Sequence, residues 1–187
     1  MKEIILASNS KARLQLLEEN GFKVTVRATN IKEESLKTKP DEKVIDLASK
    51  KLQSYLSTYG KPTSSVALAA DTMIFFENEL MGKAKDSNQA YNMLKKFSDK
   101  THQIYSGFAL YIPNIGIKKG FGVITIKFKM LSDLTIMNYI STGEWKGAAG
   151  SYRIQGKGKD LIEQTKGEFS VAVGLPLMAI SDLIRLS

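Results

Sequence analysis

The chain has 187 residues, 43% of them hydrophobic, with 27 basic against 19 acidic side chains, one histidine and no cysteine. This is enough for one domain, or a two-lobed domain, with a sizeable core, and it excludes a disulfide scaffold and a thiolate zinc site. The net charge of +8 favours an anionic partner such as a nucleotide, whereas lysines scattered in runs no longer than two argue against nucleic acid, and with no stretch of ~18 apolar residues and no signal peptide a cytoplasmic protein without a membrane partner is expected.

The apolar run Ile4-Ile5-Leu6-Ala7 predicts a buried strand over 3–8. Ser10 is a good N-cap for a helix over 10–20, with Leu14, Leu16 and Leu17 at helical spacing and Asn20-Gly21 closing it. A strand over 22–28 follows, then a polar loop with Lys32, Glu33 and Glu34. Pro40-Asp41 opens a long helix to about 59, with Val44, Ile45, Leu47, Ala48, Leu52 and Leu56 on its inner face. Val66 to Ala70 reads as a buried strand that ends in Asp71, Met73 to Phe76 continues as strand, and Glu77-Asn78-Glu79 turns a hairpin.

Asp86 caps a helix to about Phe97, and a second hairpin runs over 102–112 and 117–130 around Pro113-Asn114-Ile115-Gly116. Ser132-Asp133 caps a helix to about Ser141. A Gly-rich loop passes Gly147 and Gly150 to Gln155 and Gly156, and Val173-Gly174-Leu175-Pro176 starts the last helix. Helices alternating with single strands and hairpins predict an α/β or α+β fold with a mixed sheet, and with no repeat or linker in the chain a single domain over 1–187 is expected.

The strand-to-helix turn at Ser8, Ser10, Lys11 and Arg13 is a candidate phosphate cradle, because helix N-terminal amides and the helix dipole favour an anion there. A plain capped helix with two solvated cations is the competing reading. A carboxylate such as Asp71, after an apolar strand, is partly desolvated and suits a Mg²⁺ ligand or a general base; an Asp bonding its own turn is the alternative. Lys51, Lys83 after Gly82, and Gln155, whose amide could read a base edge, complete the inventory. There is no Gly-x-Ser-x-Gly elbow or Walker loop, and the one histidine, His102, permits a His-based triad but no His-rich metal site. Water attacking phosphorus, with Asp71 as base and a divalent metal on the phosphates, is the simplest chemistry for this set.

The segment Ile5-Leu6-Ala7-Ser8-Asn9-Ser10-Lys11-Ala12-Arg13 resembles the opening of the Maf proteins, Leu-Ala-Ser-x-Ser-Pro-Arg-Arg. Ala70-Asp71-Thr72 resembles their Ala-Asp-Thr. Leu47-Ala48-Ser49-Lys50-Lys51, Gly82-Lys83, Ala149-Gly150-Ser151-Tyr152, Ile154-Gln155-Gly156 and Val173-Gly174-Leu175-Pro176 match further motifs in the same order, over nearly the whole chain.

The resemblance implies a nucleoside triphosphate pyrophosphatase that leaves the nucleoside monophosphate and uses Mg²⁺ or Mn²⁺. It implies an elongated mixed β-sheet flanked by helices, with two lobes and a central cleft, similar to inosine triphosphate pyrophosphatases. By position, Asp71 would be the general base, with Glu33 supporting it at the metal or water. Ser8, Ser10, Arg13, Lys51 and Lys83 would hold phosphates. Thr72 and Gln155 would set base choice, as in the branch preferring dTTP and UTP. A homodimer is plausible by the same analogy. So is a nucleotide-binding regulator of cell division and septum formation with weak or no catalysis. The chain departs from the pattern in three places: Lys11-Ala12 stands for Pro-Arg, Gly147-Ala148 for Asp-Lys, and Ala84 for Pro.

Overall fold

The first apolar run forms β1 (Glu3–Leu6), and its sequel leaves the strand at once to enter α1 (Lys11–Glu19). The structure, a computed structural model, describes residues 3–32 and 34–186. In chain order there follow β2 (Lys23–Val26), α2 (Pro40–Tyr59), β3 (Val66–Phe76), β4 (Glu79–Met81), α3 (Ser87–Phe97), β5 (Thr101–Ile112), β6 (Gly116–Phe128), α4 (Asp133–Ser141), β7 (Ile162–Lys166), α5 (Phe169–Val173) and α6 (Leu177–Arg185). Among the described residues seven strands form a sheet in the order β2-β1-β3-β5-β6-β7, with β4 on β3. It is mixed: β1 is parallel to β2 and β3, whereas β4 and β7 are antiparallel to their neighbours.

Contacts divide the chain into two compact units. The first takes the described residues of Met1–Thr72, Tyr105–Gly122 and Ser170–Ser187, the second Met73–Ile104 and Val123–Phe169.

In the first unit β3 is buried on both faces, which is why its sequence reads as an unbroken apolar run. Leu68 and Ala70 pack with Ile4, Leu6, Leu17, Phe108, Leu110 and Ile180. Ala67 and Ala69 face the other way, toward Ala48, Leu52, Tyr55 and Ala109. Alternation of side chains along a strand makes this division, and each fully buried Leu or Ile contributes roughly 1.5–3 kcal/mol. On that second side α2 lies directly on β5: a Cβ at Gly107 would come within 2.4 Å of the Val44 carbonyl carbon. Only glycine lets the two backbones meet so closely, and α2 is the helix that carries Lys51.

The second unit has an aromatic centre. Phe97 stacks on the His102 ring at 4.4 Å between centroids, and Phe128 and Tyr152 meet both edge-on. His102 Nε2 lies 2.7 Å from the Tyr152 hydroxyl. His102 is 2% exposed, and its Nδ1 has no hydrogen-bond partner. The one histidine is thus a core residue, and among the described residues no triad forms around it. Burial lowers its pKa to about 4 and pushes that of the Tyr152 hydroxyl up. The unfolded chain therefore binds the proton first, near pH 6.5. The stability contributed by neutral His102 is complete above that pH and is lost as pH falls through about 4. Urea unfolding at pH 7 and pH 4 should show wild type losing roughly 3 kcal/mol more than His102→Gln, at 1.36 kcal/mol per unit. Equal losses in the two proteins would refute this.

Several boundaries differ from expectation. The first strand stops at Leu6, not at residue 8, because Ala7 and Ser8 already turn toward α1. Asp71 does not end a strand: β3 runs on through Asp71 and Thr72 to Phe76. The Asp71 carboxylate finds its cation within the fold, so its charge does not break the strand. The last helix starts at Leu177 with Pro176 before it, and the short α5 precedes both. β7 was not anticipated; four of its five residues, Glu163 to Lys166, are exposed, so it carries no apolar alternation.

Candidate active site

The strand-to-helix turn is built by local hydrogen bonds. Ser10 Oγ accepts the Arg13 amide at 3.4 Å, as an N-cap should. The first-turn amides of Lys11 and Ala12 have no acceptor within the helix. Ser8 Oγ accepts twice, from the Ser10 amide at 3.2 Å and from Arg13 Nη1 at 3.1 Å. A hydroxyl whose two lone pairs are both taken has one remaining capability, which is to donate its proton. Ser8 therefore faces the turn as a donor, beside the free first-turn amides, an arrangement suited to an anion.

Arg13 organises this turn from beneath. Only 9% exposed, it donates from Nη1 to the Ala70 carbonyl at 3.0 Å, from Nε to the Gly174 carbonyl at 3.1 Å, and from Nη2 to Thr72 Oγ1 at 3.0 Å. The planar fork of a guanidinium can hold several acceptors in fixed directions at once. Close packing leaves it no alternative, since a Cβ at Gly174 (φ +118°) would sit 2.9 Å from Arg13 Nε.

Asp71 and Thr72 point to opposite faces of β3. Thr72 joins Arg13, while Asp71 faces α2, where Lys51 Nζ meets its Oδ1 at 2.6 Å. The side chains of this pair are 13% and 9% exposed. Contact at this distance in so dry a place fixes the carboxylate direction and holds a cation beside it. The preceding residue, Lys50, donates to the Glu34 carbonyl at 2.8 Å and pairs with Asp46 at 2.9 Å. Ser35 hydrogen-bonds the Asp46 carboxyl and, with Lys50, lowers its pKa. One face of α2 thus holds both Asp71 and the loop after β2. Glu33, expected at the metal or water, lies outside the described residues.

A cavity of about 190 Å³ opens here, lined by Ala7, Ser8, Asn9, Thr29, Asn30 and Lys51 among others. That is below the ~300–1,000 Å³ of a site enclosing a whole drug-sized ligand, and suits a small anionic group. A larger cavity of about 580 Å³ lies in the second unit beside Tyr91, Asp133 and Met137. Lys95 and Tyr91 both hydrogen-bond Asp133 there.

Lys83 and Gln155 belong to the second unit. Lys83 bridges to Ala149, and the Gly150 amide donates to the Gly82 carbonyl at 2.9 Å. Gln155 is exposed in a tight turn, where Lys157 N–H donates to Glu144 Oε2 at 2.8 Å and a Cβ at Gly156 would strike that same carboxylate. Ala84 and Ala148, two of the departures from the motif pattern, are buried there.

Ser106 escaped the sequence reading. It is fully buried, bonded to Thr72 Oγ1 at 2.8 Å and to the Val171 carbonyl at 2.7 Å. The signal was available: it is the one hydroxyl in the alternating series His102, Ile104, Ser106, Phe108, Leu110, Ile112. A hydroxyl on a core face must have hydrogen-bond partners there.

A family model described as Maf-like protein matches residues 3–186. A dTTP/UTP pyrophosphatase of Pyrococcus furiosus is 40% identical over 187 residues, covering 100% of this chain and 96% of its own. A dTTP/UTP pyrophosphatase of Aquifex aeolicus is 34% identical, covering 97% and 94%. Among solved structures, a HAM1 protein from Coxiella burnetii is similar with a TM-score of 0.56 at 13% identity, with 100% of both chains covered. That last likeness concerns the fold alone, and agrees with the mixed α/β sheet expected from the sequence.

Proposed function

The chain belongs to the Maf-like protein family, and on that premise we propose that it is a nucleoside triphosphate pyrophosphatase. It converts a nucleoside or deoxynucleoside triphosphate to the monophosphate and pyrophosphate, with dTTP and UTP, the substrates named for its relatives, as the first candidates. The observation that carries this reading is the Ser8 hydroxyl, left with only its proton to offer, beside the Asp71–Lys51 pair. An anion cradle and an oriented carboxylate within one unit are the two parts that hydrolysis of a phosphoanhydride requires.

In this reaction water attacks the α-phosphorus and the bond to the bridging oxygen of the β-phosphate breaks, in line. Asp71 takes the proton from that water. Lys51 holds the carboxylate in direction and carries positive charge at the cavity wall. The Ser8 hydroxyl and the first-turn amides of α1 donate to phosphate oxygens, where their fixed orientation counts most as charge develops.

Among the described residues no group of three or more His, Cys, Asp or Glu side chains could hold a metal ion by itself. Asp71 is a hard oxygen donor, and Mg²⁺ is commonly bound by one or two carboxylates together with substrate phosphates. The residues fit a Mg²⁺ or Mn²⁺ ion that arrives with the triphosphate and is held by Asp71. When bound, it would neutralise charge on the phosphates.

The test is pyrophosphate release from a panel of common and modified nucleoside triphosphates, with Mg²⁺ or Mn²⁺ and with chelator. Metal-dependent release, strongest from dTTP and UTP and abolished by chelator, is the expected result. A protein that binds these nucleotides yet releases no pyrophosphate from any would overturn it.

A further inference from the structure

The hydroxyl protons on the Thr72 side of β3 can be ordered without ambiguity. The Val171 carbonyl can only accept, so the 2.7 Å contact uses the Ser106 proton. Ser106 must then accept at its 2.8 Å contact with Thr72, which uses the Thr72 proton. Thr72 Oγ1 in turn accepts from Arg13 Nη2 at 3.0 Å. The result is a one-directional chain of bonds, from the Arg13 guanidinium through Thr72 and Ser106 to the Val171 carbonyl. A cation at its head polarises each member and strengthens the next bond. The chain ties β3 to β5 and to the segment 171–174 that also supplies the Gly174 carbonyl to Arg13. A second acceptor for the Thr72 proton, that same Gly174 carbonyl, lies at 3.5 Å.

We infer that Ser106 is a positioning residue for the reaction proposed above, fixing Arg13 and, through it, the Ser8 hydroxyl and the stretch of β3 that bears Asp71. Ser106 touches no substrate in this role. Its removal deprives the Thr72 proton of its 2.8 Å acceptor, and Thr72 Oγ1 is then drawn toward the Gly174 carbonyl, which takes the acceptor of Arg13 Nη2 out of its place. The guanidinium shifts, and the groups it holds shift with it. Such small displacements act on the transition state more than on ground-state binding.

The inference rests on the pyrophosphatase reading, so the test has one readout that needs no activity. Ser106→Ala, Thr72→Val and their double variant are compared with wild type and with Ser65→Ala, a buried serine whose hydroxyl donates to Glu3 at 3.2 Å. By NMR, exchange of the Arg13 Nε proton should be at least about tenfold faster in Ser106→Ala and Thr72→Val, and unchanged in Ser65→Ala. In pyrophosphate release from dTTP, each single variant should lose about tenfold in kcat with KM little changed. The double variant should lose about tenfold as well, since both changes cut one chain. Thr72→Val keeps the question open to refutation should Ser106→Ala fail to fold. Unchanged Arg13 exchange in both single variants, or a double variant near a hundredfold below wild type, overturns the role of Ser106. A wild type inactive on every triphosphate overturns the pyrophosphatase reading, and the exchange rates still decide whether the chain of bonds exists.

Discussion

Asp71→Asn should fold like the wild type and turn over at least ~10²-fold more slowly, the lower end of what a positioned general base contributes. Asn keeps the shape of the side chain and a carbonyl oxygen that Lys51 can still reach, so β3 has no reason to break. What is lost is the ability to take a proton from water, together with a hard anionic oxygen for the metal. The measurement is kcat for pyrophosphate release alongside a thermal melt. Near-wild-type turnover would remove Asp71 from the role of base, and KM should change less than kcat if its main contribution is made in the transition state.

Arg13→Ala has the second largest expected effect, and it appears in stability as well as in rate. The substitution leaves the Ala70 and Gly174 carbonyls without the donor that each has at 3.0 and 3.1 Å. A buried polar group left unsatisfied costs about 1–3 kcal/mol. A loss of about 3 kcal/mol corresponds to a Tm about 6–12 °C lower in a chain of this size. Turnover should fall with it, because Ser8 then regains a free lone pair and its proton is no longer directed into the turn. Arg13→Lys should recover little, since an ammonium cannot reproduce the fork. A variant that keeps its Tm and shows only a raised KM would make Arg13 a simple phosphate ligand instead of the organiser of the turn.

The difference between those two roles marks where sequence reasoning stopped. That Arg13 sits in the first turn of a helix opened by Ser10 is legible, because capping is decided within three residues. That it points inward is not, because its acceptors lie 57 and 161 residues along the chain. The same holds for Asp71, whose acidic side chain after an apolar run reads as the end of a strand. The approach of Lys51, 20 residues away on α2, gives its charge a partner inside β3. Gly107, which admits α2 to that distance, looks like any glycine in a strand until Val44 is seen against it. The edge strand β7 was missed for another reason: an exposed strand has no apolar period to read.

Local patterns in the sequence specify most of the elements and their buried faces: the double-sided apolar run of β3, the inner stripe of α2, the cap of α1 and the two hairpins. These follow from periods of 2.0 and 3.6 residues and from turn chemistry, all short-range properties of the chain. The motifs, read in order, also determined the family, which the comparisons bear out over residues 3–186. The tertiary structure alone decided which polar groups are spent on one another and which still have something to offer a ligand. Arg13, Thr72 and Ser106 satisfy each other in the interior, and that leaves Ser8 with a proton to donate. A buried donor must find its acceptor wherever folding brings one, and that location is set by packing across the whole chain.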